Sequence, residues 1–130
     1  MAHDTHHAAS VIALQQLKEQ RLLLHLPVLL VPEVSAALAR NTRDAARGIQ
    51  AIEMLRITPF VQWYPLTEVL AHAAADLAST QFLRGADAVY AGIAAATGST
   101  LLTWDRELRA RSHPLVKAVT PTEWLALPTT

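Results

Sequence analysis

Four short apolar segments, residues 22–26, 60–66, 99–103 and 116–119, alternate with longer stretches whose apolar residues recur every three or four positions. Parallel strands need a crossover of about a dozen residues, usually helical, so this alternation predicts βαβ units and a parallel sheet covered on both faces. The expected fold is α/β: a three-layer sandwich, mostly parallel sheet flanked by helices. Punctuation supports the segmentation. Pro27 ends the first strand, Pro65 limits the second or pushes it to an edge, and Gly98 is suited to a left-handed C-cap. Helices are predicted from Asp4 as N-cap to Gln20, from Pro27 to Arg40, over 43–57 up to Thr58-Pro59, from Thr67 onward, and over 86–97, 104–111 and 121–127. With 130 residues, 52% of them hydrophobic, and no linker or repeat, a single domain over 1–130 is expected.

Charge and special residues narrow the function. Eleven Lys and Arg balance eleven Asp and Glu, which excludes a globally basic nucleic-acid coat protein and confines any nucleic-acid contact to a local patch. Cysteine is absent, removing disulfides, thiolate metal sites and thiol nucleophiles together. The longest apolar run, residues 22–31, contains His25 and Pro27 and falls short of a ~20-residue membrane span. No signal-peptide layout opens the chain, so a cytoplasmic protein with no membrane partner is expected. His3, His6 and His7 read as a solvated terminus, with a terminal metal site as the alternative. His72 reads as a helix-surface residue, and neither it nor His113 has an obvious nucleophile partner.

In a parallel α/β fold, strand C-termini and the N-termini of the following helices share one edge, where binding sites collect. Three acids map there: Glu33, early in the helix after the first strand; Asp87, in the first turn of the helix after Gly85; and Asp105, directly after the third strand. Each alone is explained by the preference of carboxylates for helix N-termini, worth roughly 0.3–1 kcal/mol. Together they repel one another unless a cation intervenes, and an oxygen-only donor set suits Mg²⁺ or Mn²⁺. No phosphate-binding loop, dinucleotide turn, HExxH or GxSxG element competes.

The segments Leu83-Arg84-Gly85-Ala86-Asp87-Ala88-Val89-Tyr90 and Leu101-Leu102-Thr103-Trp104-Asp105-Arg106-Glu107-Leu108 resemble the C-terminal half of a PIN domain, the nuclease fold of VapC-type toxins. The eighteen-residue step from Asp87 to Asp105 and the ending Val119-Thr120-Pro121-Thr122-Glu123-Trp124-Leu125 suit that family. Residues 27–38, which include Glu33, are similar to the helix bearing its first-half glutamate. The resemblance implies a Mg²⁺- or Mn²⁺-dependent endoribonuclease, the toxin of a type II toxin–antitoxin system, with RNA as substrate and a cognate antitoxin and a homodimer as partners. It makes Glu33, Asp87 and Asp105 catalytic metal ligands and Thr103 a supporting polar neighbour. Arg84, Arg106 and Arg40 are candidate RNA phosphate contacts or, equally, solvated helix ends.

One departure from the family pattern bears on activity. Family members begin with a strand ending in an Asp-Thr-Asn or Asp-Ala-Ser type motif, whose aspartate is a principal ligand, followed by a helix. Here neither is evident, and the chain reads as about twenty residues short by usual element lengths. The expected consequences are a start upstream, two sheet halves closing around fewer strands, or pairing supplied by another chain. The alternative function is therefore a catalytically weak or inactive truncated PIN-like binding module that dimerises or holds an antitoxin-like partner. Trp63, Tyr64 and Trp104 are its candidate interface aromatics, or core residues.

Overall fold

The structure, a computed structural model, describes residues 2–128. The chain runs α1 (Ala2–Glu19), β1 (Leu24–Pro27), α2 (Leu30–Thr42), α3 (Ala45–Ile57), β2 (Val61–Tyr64), α4 (Glu68–Gln81), α5 (Gly85–Thr97), β3 (Leu101–Leu102), α6 (Arg106–Ser112), β4 (Ala118–Val119) and α7 (Pro121–Leu125). No helix among the described residues is long and apolar enough to cross a membrane.

Local chemistry sets the helix boundaries. Asp44, Thr67, Asp105 and Thr120 each sit in extended backbone and accept a hydrogen bond from an amide in the following first turn, removing an otherwise unpaired donor. Thr120 and Glu123 close a reciprocal capping box, with Pro121 inside it, and those hydrogen bonds hold the Glu123 carboxyl below its usual range. Gly98 ends α5 at φ +64°, as its sequence position predicts. At the other end of the chain the expectation shifts: α1 begins at Ala2, so Asp4 lies within the first turn rather than at the cap.

The strands confirm an α/β fold with parallel pairing, and they are shorter than their apolar segments. Phe60 has a left-handed φ of 59° and Pro65 lacks an N–H, so β2 keeps only the four residues between Phe60 and Pro65. β1 and β2 pair in parallel with Leu24 opposite Val61 and Pro27 opposite Tyr64; β3 and β4 pair in parallel with Leu101 opposite Ala118. The amides of Leu24 and Val28 donate to carbonyls of Phe60 and Tyr64 at 2.8 and 2.9 Å. Even-numbered amides of β1 therefore face β2, and Pro27 lies on the opposite edge, where its missing N–H interrupts no pairing. The two pairs are not hydrogen-bonded to each other among the described residues. Helix α5 packs on both β1 and β3 and joins them.

That helix is the core. Ala88, Val89, Ala91, Gly92, Ile93 and Ala94 are all buried in it. Small residues let α4 approach closely: a Cβ built on Gly92 would meet Leu70, Ala74 and Leu77 of α4 at van der Waals distance. Leu83, Leu108 and Val116 complete the cluster, with Leu29, Tyr64 and Leu101 packed around it. Trp63 and Tyr64 are half-buried, and Tyr64 shares a 2.6 Å hydrogen bond with Nδ1 of His25. His72 lies on the helix surface opposite Glu68, as expected.

The α2–α3 hairpin depends on a single close approach. A Cβ built on Gly48 of α3 would lie 2.7 Å from the Ser35 carbonyl oxygen of α2. Helix propensity favours alanine over glycine by about 1 kcal/mol, whereas overpacking against backbone costs about 1–3 kcal/mol. The backbone oxygen cannot swing away as a side-chain tip could, so the clash outweighs the propensity gain. Gly48→Ala is expected to lower the urea midpoint, and an unchanged or raised midpoint would show that the hairpin has slack.

Candidate metal and phosphodiester site

Parallel pairing and the crossover helices bring the C-terminal ends of β1 and β3 to the edge where α2, α5 and α6 begin. Glu33 lies in the first turn of α2, Asp87 in the first turn of α5, and Asp105 is the N-cap of α6. A cavity of about 350 Å³ opens between these elements. Glu33, Asp87, Tyr90 and Thr103 supply its polar lining, and Val34 and Leu102 are among its apolar walls.

Hydrogen bonds fix several of these groups. Tyr90, one turn beyond Asp87 on α5, donates its hydroxyl to Oε1 of Glu33 at 2.7 Å and so ties α2 to α5. Burial, reinforced by that Glu33 acceptor, holds the Tyr90 phenol above its ordinary range, so it remains a donor at neutral pH. Thr103 accepts from the Asp105 amide at 3.1 Å, and Asp105 Oδ1 accepts from the Leu108 amide at 3.0 Å. The helix-capping role that sequence alone offers for Asp105 is thus real. Arg109 donates to the Thr103 carbonyl at 3.0 Å and braces the same turn from the next turn of α6.

Asp87 registers the charge around it. Burial pushes its carboxyl above the usual range; Asp105 adds to the rise, Arg84 opposes it, and Glu33 and Glu107 add further. Of the candidate site residues, Glu33, Asp87 and Thr103 therefore line one cavity, Asp105 couples to it by charge, and Arg84 lies within electrostatic reach. Arg106 is exposed next to Asp105 at the start of α6. Arg40 stands apart in the last turn of α2, about 10 Å along the helix axis from Glu33 at 1.5 Å per residue. Tyr90 and Glu107 stand in the segments that carry the family resemblance but receive no role from it, and Arg109 lies outside them; the three-residue step from Asp87 to Tyr90 puts both on one helical face.

The donor set is oxygen-only, which suits a hard divalent cation, and the raised pKa of Asp87, due first to burial and then to the Asp105 charge, marks a rim short of positive charge. Among the described residues, no group of three or more His, Cys, Asp or Glu converges closely enough to hold an ion as the side chains stand. The side chains of His3 and His7, part of the alternative terminal metal site, lie outside the described residues.

An α/β scaffold with carboxylates gathered at the C-terminal ends of parallel strands is a class of site found among phosphodiester hydrolases that use divalent metals. The sequence profile of the PIN domain matches residues 2–113, and the chain belongs to that family. PIN domains are typically metal-dependent nucleases. The fold is similar to the crystal structure of PAE2754 from Pyrobaculum aerophilum, with a TM-score of 0.66 and 23% identity over 91% of this chain and 87% of that one. No curated protein matches the chain in sequence.

The Asp87 shift gives a signed stability prediction. Its folded pKa exceeds its unfolded value, so ionisation costs stability; the cost is complete above the folded pKa and vanishes below the unfolded one. Asp87→Asn should therefore be more stable than the parent to urea at pH 7. The difference should shrink as pH falls through the carboxylate range. An Asn variant that is less stable at pH 7 would contradict the repulsion.

Proposed function

We propose that this chain is a Mg²⁺- or Mn²⁺-dependent endoribonuclease that hydrolyses RNA phosphodiester bonds in the cytoplasm, as the toxin of a type II toxin–antitoxin pair. The observation that carries the reading is that Glu33 and Asp87, from separated stretches of chain, line one cavity, and that Asp87 feels the charge of both Glu33 and Asp105. These three residues would hold the ion. The metal supplies a bound water of lowered pKa and offsets charge developing on the phosphoryl group. Tyr90 holds the Glu33 carboxylate in place, and Thr103, braced by Arg109, orients the turn that carries Asp105. Arg84 and Arg106 are suited to RNA phosphates beside the cleaved bond, whereas Arg40 would meet only a more distant part of a longer strand.

Partner binding fits the same picture. A cognate antitoxin would occupy the acidic cavity and block RNA. Exposed Ile49, Met54 and Ile57 on α3 support a homodimer, since apolar side chains gathered on one exposed helix favour burial against another subunit. Light scattering should give twice the monomer mass, falling to the monomer in Ile57→Asp if α3 is the interface.

A second reading, a PIN domain that binds a partner without productive metal binding, is favoured by the lack of three convergent ligands among the described residues. Metal titration separates the two. Under the first reading, Mg²⁺ at 100 times its Kd stabilises the chain by about 2.7 kcal/mol, visible as a raised Tm. RNA cleavage then stops in EDTA and falls at least about a hundredfold in Asp87→Asn and Asp105→Asn. Metal-independent cleavage, or full activity in those variants, would reject the nuclease mechanism; no Tm response and no cleavage would leave the binding reading.

A further inference from the structure

Adjacent to Asp105 in the chain lies a feature that metal chemistry does not use. Trp104 is the residue between Thr103 and Asp105. Its indole N–H donates to Ser10 Oγ of α1 at 2.9 Å, which fixes the plane of the ring. One turn earlier in α1, His6 lays its imidazole on that indole with centroids 4.0 Å apart and planes 11° from parallel. His6, expected from sequence to be part of a solvated terminus, is thus part of an ordered aromatic stack. One of its ring faces lies on Trp104, and the residue as a whole remains exposed.

An exposed, flat aromatic ring backed by a second ring attracts another flat ring, because offset π-stacking and loss of hydrated apolar surface act together. Unpaired nucleobases are the flat rings that accompany a phosphodiester, and stacking on aromatic or histidine side chains is a general mode of single-strand recognition. We infer that His6, held on Trp104, is a stacking platform for an unpaired base of the RNA strand beside the carboxylate site. The inference rests on the ribonuclease reading for its substrate but draws on separate residues. The Ser10 hydrogen bond already anchors the indole to α1, so the exposed imidazole is free to serve a ligand.

The test uses the full chain carrying Asp87→Asn, which removes cleavage under the ribonuclease reading and leaves the stack untouched. A short single-stranded oligoribonucleotide and a matched oligomer with abasic sites are titrated while the Trp104 indole N–H resonance, assigned by its loss in Trp104→Phe, is followed. The base-bearing oligomer should shift that resonance and bind about tenfold more weakly to His6→Ala, with affinity restored in His6→Phe. The abasic oligomer should bind the parent and His6→Ala alike. Equal affinity of the parent for both oligomers, no effect of His6→Ala, or no binding at all would overturn the platform. Cleavage assays on His6→Ala with Asp87 intact separate the two ideas. Base-dependent binding without any cleavage retains the platform and removes the nuclease, while cleavage with an unchanged KM in His6→Ala does the reverse.

Discussion

Burial of α5 is the constraint on which the rest of the structure depends. Its small residues allow α4 to pack against one side, while β1 and β3 pack against others. Among the described residues the two strand pairs share no hydrogen bonds, and α5, in contact with a strand of each, bridges them. The same helix carries Asp87 in its first turn and Tyr90 one turn on. Packing of the core and placement of the candidate site are therefore a single event: whatever seats α5 also sets the distance between Asp87, Glu33 and Asp105.

The site itself is under electrostatic tension. Burial and three neighbouring acids oppose the charge on Asp87, and Arg84 offsets only part of that opposition. Folding tolerates the repulsion because the rim is open to water on one side and because hydrogen bonds hold individual groups: Tyr90 on Glu33, and the α6 amide on Asp105. Charge stress of this kind is typical of places where a protein binds cations or does acid–base work. Around it the neutral net charge is distributed unevenly, with acids at the rim and Arg84, Arg106 and Arg109 close by. A globally neutral chain can thereby present a local surface suited to a phosphodiester.

Much of this was legible in the residues. The spacing of apolar positions separated strands from helices, and Pro27, Pro59, Pro65 and Gly98 marked boundaries by backbone chemistry that does not depend on context. Thr67, Asp105 and Pro121 likewise signalled helix starts locally. Strand lengths were less legible, because an apolar run records burial rather than pairing: the left-handed Phe60 shortened β2 although its side chain fits a strand. The start of α1 was misplaced because Asp4 is as acceptable inside a first turn as at a cap.

By itself, the sequence determined the α/β class, the parallel pairing and the positions of the three acids along the chain, since each follows from local periodicity and the handed geometry of βαβ units. Only the tertiary structure decided which groups meet. The hydrogen bond from Tyr90 to Glu33 spans 57 residues, and that from Trp104 to Ser10 spans 94. It also left the strands as two pairs bridged by α5, and raised His6 from a terminal residue to the outer ring of an aromatic stack. Contacts at such separations are set by how helices pack in three dimensions, and no local pattern of residues encodes them.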